Sequence, residues 1–434
     1  MMKNVDINVH HVTRVEGHGN IKVKVRDGRL EQIELNIVES PRFYEAFLRG
    51  RRYYEAPHIT CRICGICSVG HTTSSVKAIE DACGIQISEQ SKLLRKLIFY
   101  GEQIESHVLH VCFLVVPDFF GVGSVIPLAS SHPDVVKLAL RLKRLGNDVC
   151  EVVGGRHIHP IAIAVGGVTH FPRADELLSL KKKLEASRAD LKTVADLCAT
   201  LKIPAFKRET EYVGLTDKDE YAFYDGMLAT SMQPKPIPPQ RYREWILETV
   251  VDHSTGKHVH TPKSPSYMVG ALARFNLNHK QLHPAAKKVA DAIGLKAPCH
   301  NSFMISMAQV VETVHCVEKS IEVIDELLTR GVKEEPLVPP SKFEGVGAHA
   351  SEVPRGILFH EYELDKKGTI VNSNLIIPTT QNYANIEADM RALVPQIMDR
   401  SVGEMTLALE MLVRAYDPCI SCSVHQLKVE LEKV

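Results

Sequence analysis

The stretch "TCRICGICSVGH", residues 60–71, sets three cysteines three apart and follows them four residues later with a histidine. Such spacing belongs to metal chemistry, and it reads in two ways. A ferredoxin-like run would offer Cys61, Cys64 and Cys67 to one iron-sulfur cluster. A two-by-two site would use one pair here and take its second pair from elsewhere. That second pair exists: "YDPCISCSVH", residues 416–425, repeats the pattern, with Cys419-x-x-Cys422 followed by His425 as Cys64-x-x-Cys67 is followed by His71. A C-x-x-C pair in a tight turn or at a helix start turns two thiolates toward one ion, and nearby amides lower the thiol pKa toward the metal-binding form. Four soft thiolates suit zinc, an iron-sulfur cluster or a nickel-containing centre, and spacing alone leaves all three open. Zinc modules are usually stapled within tens of residues, whereas these pairs sit at opposite ends of the chain.

The remaining composition is that of an ordinary globular protein. Its 434 residues are 44% hydrophobic and 24% charged, with 52 basic side chains against 52 acidic ones, so nothing in the charge suggests a nucleic-acid partner. The opening "MMKNVDINVHH" lacks the features of a secretory signal, and no apolar run has the length of a membrane span, which together predict a cytoplasmic protein. Eleven cysteines, an odd and uneven set, fit reduced thiols and a few metal ligands better than a disulfide framework.

Periodicity predicts a mainly α (α+β) chain, one domain over 1–434 with a β-containing N-terminal lobe over 1–60. "IKVKVRDGRLEQIELNI", residues 21–37, alternates apolar and polar residues about Asp27-Gly28, a hairpin turn pair. From Leu93 the period becomes helical, with Ser88 as a cap and Pro117 as a stop. Further helices are expected at 134–150, 175–201, 284–294, 302–330 and 386–415. The segments 202–265 and 331–384 mix proline, glycine and charge or β-branched residues and read as loops or short strands.

With both cysteine motifs in hand, the chain resembles the large, catalytic subunit of nickel-iron hydrogenases. "RICGIC" with His71 and "DPCISCSVH" are similar to that family's two signatures. "RVEGHG" at 14–19, "PRFYEAFLRGR" at 41–51, "SHVLH" leading to Asp118, "EVPRGILFH" at 352–360 and "NLIIPTTQN" at 374–382 follow in the family's order. The resemblance implies an α-rich fold about a central helical bundle, with a buried nickel-iron centre whose iron carries carbon monoxide and cyanide. It implies Cys64 and Cys419 as terminal nickel ligands and Cys67 and Cys422 as bridges to iron, leaving Cys61 outside. Two other readings are a structural-zinc or iron-sulfur protein and a nickel-free relative from the quinone-reducing respiratory complex, which would lack the four cysteines.

The resemblance also assigns roles around the centre. Hydrogen offers no polar handle, so it is split heterolytically, with a metal taking the hydride and a base the proton. Cys419 is the implied first proton acceptor and Glu16 the carboxylate that passes the proton outward. Arg355 would project its guanidinium over the open position, oriented by Asp118 and Asp417. Thr379 would donate to a cyanide, Pro354, Leu358 and Ile377 would wall the ligands, and His71 would donate to a bridging sulfur. Glu45, His425 and the carbonyl of Ile376 would hold a second ion, magnesium or iron. Cys83, Cys112, Cys150, Cys198, Cys299 and Cys316 read as small core hydrophobes. Many family members lose a C-terminal extension after the position of His425, so "QLKVELEKV", residues 426–434, is either an uncut extension or a retained tail. Gln381 stands where the exported uptake enzymes commonly have tryptophan, which leans toward a cytoplasmic branch. The chain has no cysteine set left for an electron relay, so an iron-sulfur small subunit is implied, with further flavin or iron-sulfur subunits leading to a soluble acceptor.

Overall fold

The computed structural model describes residues 4–425 apart from Pro234; the predicted tail at 426–434 lies outside the described residues. The alternating N-terminal stretch forms an antiparallel sheet of β1 (Val5–Val9), β2 (Gly19–Arg26) and β3 (Arg29–Ile37), in that order. Arg26 pairs with Arg29, so Asp27 and Gly28 are the two turn residues, at φ of 49° and 71°. This is the turn that matches the right-handed twist of the flanking strands. Ile21, Val23, Val25, Ile33, Leu35 and Ile37 form its buried face.

Four long helices form the body: α2 (Glu89–Val108), α3 (Pro133–Gly154), α4 (Ala174–Thr200) and α5 (Ile305–Arg330), with α1 (Ser68–Cys83) ahead of them. α2 packs on α3, α3 on α4, α4 on α5 and α5 back on α2, closing a bundle. The α2–α3 crossing is tight because Gly146 faces α2. A Cβ there would lie 2.5 Å from the backbone nitrogen of Glu105, so only glycine lets the two helices approach this closely. Ser88 caps α2 as expected, its hydroxyl accepting from the Ser91 amide at 3.0 Å.

Pro117 does not end that helix directly. A π-helical segment, Leu109–Val115, continues it, and Pro117 sits in the first turn of a short helix over Val116–Phe119. A proline is tolerated there because the first-turn amide needs no intrahelical partner. The wider turn re-aims the residues after it, Asp118 included.

The stretch 331–384 departs most from its sequence reading. It holds β4 (Gly345–Val353), β5 (Gly356–Leu364) and β6 (Ile370–Ile376), an antiparallel sheet in that order, and the start of α6 (Pro378–Ile397). The alternation that announces a half-exposed strand is missing because β5 is buried from Gly356 through His360, under α1 on one side. The helical stretch expected at 386–415 is two helices, α6 and α7 (Val402–Ala415), the second opened by Ser401 and Glu404 in a capping box. Segment 202–265 carries short strands, such as Glu211–Thr216 and His258–His260, and a 3-10 helix at Pro239–Glu244, as its composition predicts. Among the described residues no helix is long and apolar enough to cross a membrane.

Candidate metal centre

Cys67 is the residue before α1, and its amide donates to Cys64 Sγ at 3.1 Å. The Cys67 thiol also bonds to Cys64; that bond and the nearby Arg355 guanidinium hold the Cys64 thiol down at about 7, while the same bond and burial push Cys67 well above its ordinary range. This first pair is joined by its own turn, and the carbonyls just before it are held by Arg42, Tyr44 and His159. The second pair is shaped by distant chain. After α7 ends, Asp417 turns at a positive φ of 52°, and the loop is then laced to the N-terminus. Ile420 N donates to Glu16 O at 2.9 Å, Glu16 N to Pro418 O at 3.3 Å, and Arg42 N to Val424 O at 2.8 Å. Gly17 makes the lacing possible: at φ 84°, its added Cβ would stand 2.7 Å from Ile420 Cβ. Thr379, in the first turn of α6, accepts from Cys419 N at 3.0 Å.

The two pairs meet in one buried cavity. Cys64 Sγ is 3.6 Å from Cys419 Sγ, Cys419 and Cys422 are paired as a disulfide that must be reduced before both can ligate a metal, and the sulfurs of Cys64, Cys419 and Cys422 all lie within 4.8 Å of one another. Cys67 borders the same cavity, whose other walls are His71, Val353, Arg355, Ile377, Pro378 and Thr379. Cys61 is not on it; its thiol donates to the His58 carbonyl at 3.2 Å.

Val353 pairs with Gly356, so Pro354 and Arg355 are the tip of the β4–β5 hairpin. From that tip the Arg355 guanidinium makes three bonds: Nε to Asp417 O at 2.6 Å, one terminal nitrogen to Asp417 Oδ1 at 2.8 Å, and the other to Cys67 Sγ at 3.2 Å. Burial opposes its charge, and Asp417 together with the two cysteines more than offsets that. Gln309 bonds the other Asp417 oxygen at 3.3 Å, and Arg274 holds the Pro354 carbonyl at 3.0 Å. Asp118 is a correction. It does not orient Arg355; it takes Arg14 and, at 2.9 Å through both oxygens, Arg414. The π segment aims it at these two arginines, so it ties the "RVEGHG" loop to α7.

Glu16 runs beside Cys419 as an isolated parallel bridge, and its carboxylate accepts from the Ser421 amide at 3.1 Å and from the Ser421 hydroxyl. Its side chain lies on the exposed surface of this chain. Ile377 lines the cavity, whereas Leu358 is buried in the core behind it, and Val353 supplies the apolar wall from the hairpin. His71 is buried, which depresses its pKa and keeps the ring neutral. Its Nδ1 is 3.2 Å from His360 Nε2, His360 Nδ1 is 2.9 Å from the Tyr362 hydroxyl, and that hydroxyl is 3.0 Å from Ser75 Oγ. If His71 Nε2 carries the proton that faces the sulfurs, every later donor in this chain is fixed: His360 donates to His71, and Tyr362 to His360.

Beyond Cys422, Glu45 accepts from Leu375 N at 2.8 Å, and burial pushes its carboxyl up to about 7. His425 is buried with Nε2 on the Cys422 carbonyl at 2.8 Å, while its Nδ1 is buried without a partner. Ile376 closes β6 beside Leu375. Val353, Gln309, Ser421 and His360 were not among the expected site residues. The pair His360 and Tyr362, two apart on one strand, facing His71 and Ser75, four apart on one helix, was the pattern that could have disclosed the last of these.

The sequence pattern described as nickel-dependent hydrogenase matches residues 42–134 and 263–425, more than half of the chain and both cysteine pairs. The chain belongs to the nickel-dependent hydrogenases. This hydrogenase is 32% identical to the alpha subunit of sulfhydrogenase 1 from Pyrococcus furiosus, over 99% of this chain and 100% of that one. It is 30% identical to the matching chain of the F420-non-reducing hydrogenase vhc from Methanococcus voltae, covering 98% and 96%. It is 29% identical to the beta subunit of the NAD-reducing hydrogenase HoxS from Cupriavidus necator, covering 96% and 94%. Its fold matches a crystal structure of NAD+-reducing [NiFe]-hydrogenase in the H2-reduced state with a TM-score of 0.87 at 25% identity, over 97% of this chain and 99% of that one. It is thus the large, catalytic subunit of a multi-subunit hydrogenase with a nickel-iron centre, and the zinc and nickel-free readings fall away.

Proposed function

We propose that Cys64, Cys67, Cys419 and Cys422 hold the nickel-iron centre, with Cys64 and Cys419 terminal on nickel and Cys67 and Cys422 shared with an iron that carries carbon monoxide and cyanide. The observation that carries this reading is the convergence of four buried sulfurs, from opposite ends of the chain, beneath one buried guanidinium. That donor set fits the group: soft ligands for the metals, with a fixed cation above them. When bound, the centre supplies the Lewis acidity and electron capacity for heterolytic cleavage of hydrogen.

The chain's own residues do the rest. Arg355 presents a permanently charged, planar donor to the open side of the cavity and to a cyanide, and Asp417 keeps it from swinging away. The Thr379 oxygen is occupied by the Cys419 amide, which leaves its own proton free to donate to a cyanide. Val353 and Ile377 exclude water from the same space. The Cys419 thiolate takes the proton, and Glu16, joined to the same loop through Ser421, passes it to the surface that an iron-sulfur small subunit covers.

Glu45, His425 and the Ile376 carbonyl hold a second ion, magnesium, for which the largely buried Glu45 carboxylate and the partnerless His425 nitrogen are the support. Further flavin or iron-sulfur subunits take the electrons to a soluble acceptor in the cytoplasm, a reading supported by the likeness to NAD-reducing and F420-non-reducing relatives and by Gln381. Metal analysis of the purified complex together with infrared spectroscopy tests the centre. One nickel with iron, and bands from metal-bound carbon monoxide and cyanide, are expected; zinc alone, without such bands, would sink the assignment.

A further inference from the structure

A second group of metal-ligating side chains lies outside the catalytic centre. Strands Leu247–Thr249 and His258–His260 are joined by a loop that carries His253, and Glu387 faces this loop from α6. His253 Nε2 is 2.8 Å from Glu387 Oε1, His258 Nε2 is 3.9 Å from the same oxygen, and the three ligand atoms all fall within 4.8 Å. The two imidazole rings stand edge to face with centroids 5.5 Å apart. A tetrahedral zinc ion with bonds of about 2.0–2.2 Å needs its ligand atoms roughly 3.3 Å apart, so modest rotation of the rings serves it.

Two further observations distinguish this group from a chance cluster of charge. His258 Nε2 is buried and has no hydrogen-bond partner, a costly condition for a ring nitrogen that has a carboxylate close by. Glu387 Oε1 also accepts from Leu35 N at 2.9 Å, which fixes the carboxylate as backbone donors fix metal-ligating groups. Burial, moreover, holds His258 below its ordinary pKa, in the neutral form that offers a lone pair.

We propose that His253, His258 and Glu387 form a zinc site, with water completing the coordination, that clamps the 250–257 loop and β3 to the body of α6. The clamp joins three distant parts of the chain. Thr255 N already bonds Ile37 O at 3.0 Å at the end of β3, and the helix that supplies Glu387 supplies Thr379 to the catalytic cavity two turns earlier. The site is partly open to solvent, so zinc enters without unfolding.

The experiment uses the purified, nickel-loaded complex, in which the four catalytic cysteines are already occupied. After treatment with EDTA it is dialysed against Zn2+ alone, and bound zinc is counted in wild type, His258→Phe and Glu387→Gln. One equivalent in wild type, with affinity lower by about tenfold or more in each variant, is expected, as is a rise in Tm on zinc addition confined to wild type. Zinc anomalous scattering from wild-type crystals keeps the test valid should a variant fold poorly: a peak between His253 and Glu387 supports the site. No bound zinc, equal binding in all three proteins, or a peak only at the Asp148, Glu151 and His157 group would overturn it.

Discussion

The two C-x-x-C loops are nearly the same in sequence and unlike in how they are held. The Cys64 turn is bonded through a neighbouring amide and the start of α1, within four residues of itself, while the side chains of Arg42, Tyr44 and His159 hold the carbonyls of Ile63, Arg62 and Cys61 just before it. The Cys419 loop follows a helix end, and its backbone partners are Glu16, Thr379 and Arg42, all from distant chain. In the bonding of its amides, one half of the centre is therefore a local turn, steadied by distant side chains, and the other is a seam that closes only once the N-terminus, α6 and the C-terminus have met. The seam is also where the proposed proton exit lies. Structure and proton chemistry share residues on that side and are separate on the other.

Glu16→Gln separates them. Glutamine keeps an acceptor for the Ser421 amide, so the seam should stay closed, while an amide cannot shuttle protons. Hydrogen–deuterium exchange between hydrogen gas and water is expected to fall by about 10²–10⁴-fold with nickel and iron contents unchanged. An unaltered exchange rate would leave Glu16 with a purely structural part in the seam. Arg355→Lys probes the residue that bridges both loops, through Cys67 on one side and Asp417 on the other. A lysine cannot reproduce three bonds in one plane, and loss of a fixed donor at a reacting centre costs about 10²–10³ in rate. Turnover of the fully loaded Arg355→Lys enzyme measures this; a rate near wild type would mean that any buried cation suffices.

A smaller effect tests the asymmetry itself. Thr379→Val removes the acceptor of the buried Cys419 amide, worth about 1–3 kcal/mol once that amide is left without a partner. Amide exchange should quicken in the 417–425 seam and stay slow in residues 61–67. Equal loosening of both loops would show that the halves are held as one unit, and the contrast drawn from their partners would fail.

The same contrast separates what was legible in the sequence from what was not. Local features were legible: the 21–37 hairpin about Asp27-Gly28, the Ser88 cap, and the two cysteine pairs, which border one cavity together with His71. Features that depend on distant chain were not. The β4–β5 hairpin that carries Arg355 hides because a strand buried on both faces loses its alternation. Asp118 was given to Arg355 because nothing in "LHVCFLVVPD" announces a π segment, and one altered turn is enough to send a carboxylate to Arg14 and Arg414 instead. The proposed zinc ligands His253, His258 and Glu387 lie up to 134 residues apart in sequence and have no local signature. Thr379 and Glu16 were placed by resemblance; that both are partners of the Cys419 loop is visible only once the seam is closed.

The smallest expected effect concerns the first cysteine of "TCRICGIC", the one that makes the stretch look like a ferredoxin run. Cys61 is buried at the end of a short helix, Ala56–Thr60, with its thiol on the His58 carbonyl and outside the metal cavity. A serine hydroxyl at the same position donates to the same carbonyl, so Cys61→Ser should cost only about 1 kcal/mol of stability and leave nickel content and hydrogen oxidation at wild-type levels. Cys64→Ser, three residues on, should abolish both, because a neutral hydroxyl replaces a thiolate in the metal's own ligand set. Nickel per chain and turnover, measured side by side for the two variants, decide the point. Comparable losses would return Cys61 to the centre and make the N-terminal loop a three-sulfur turn after all.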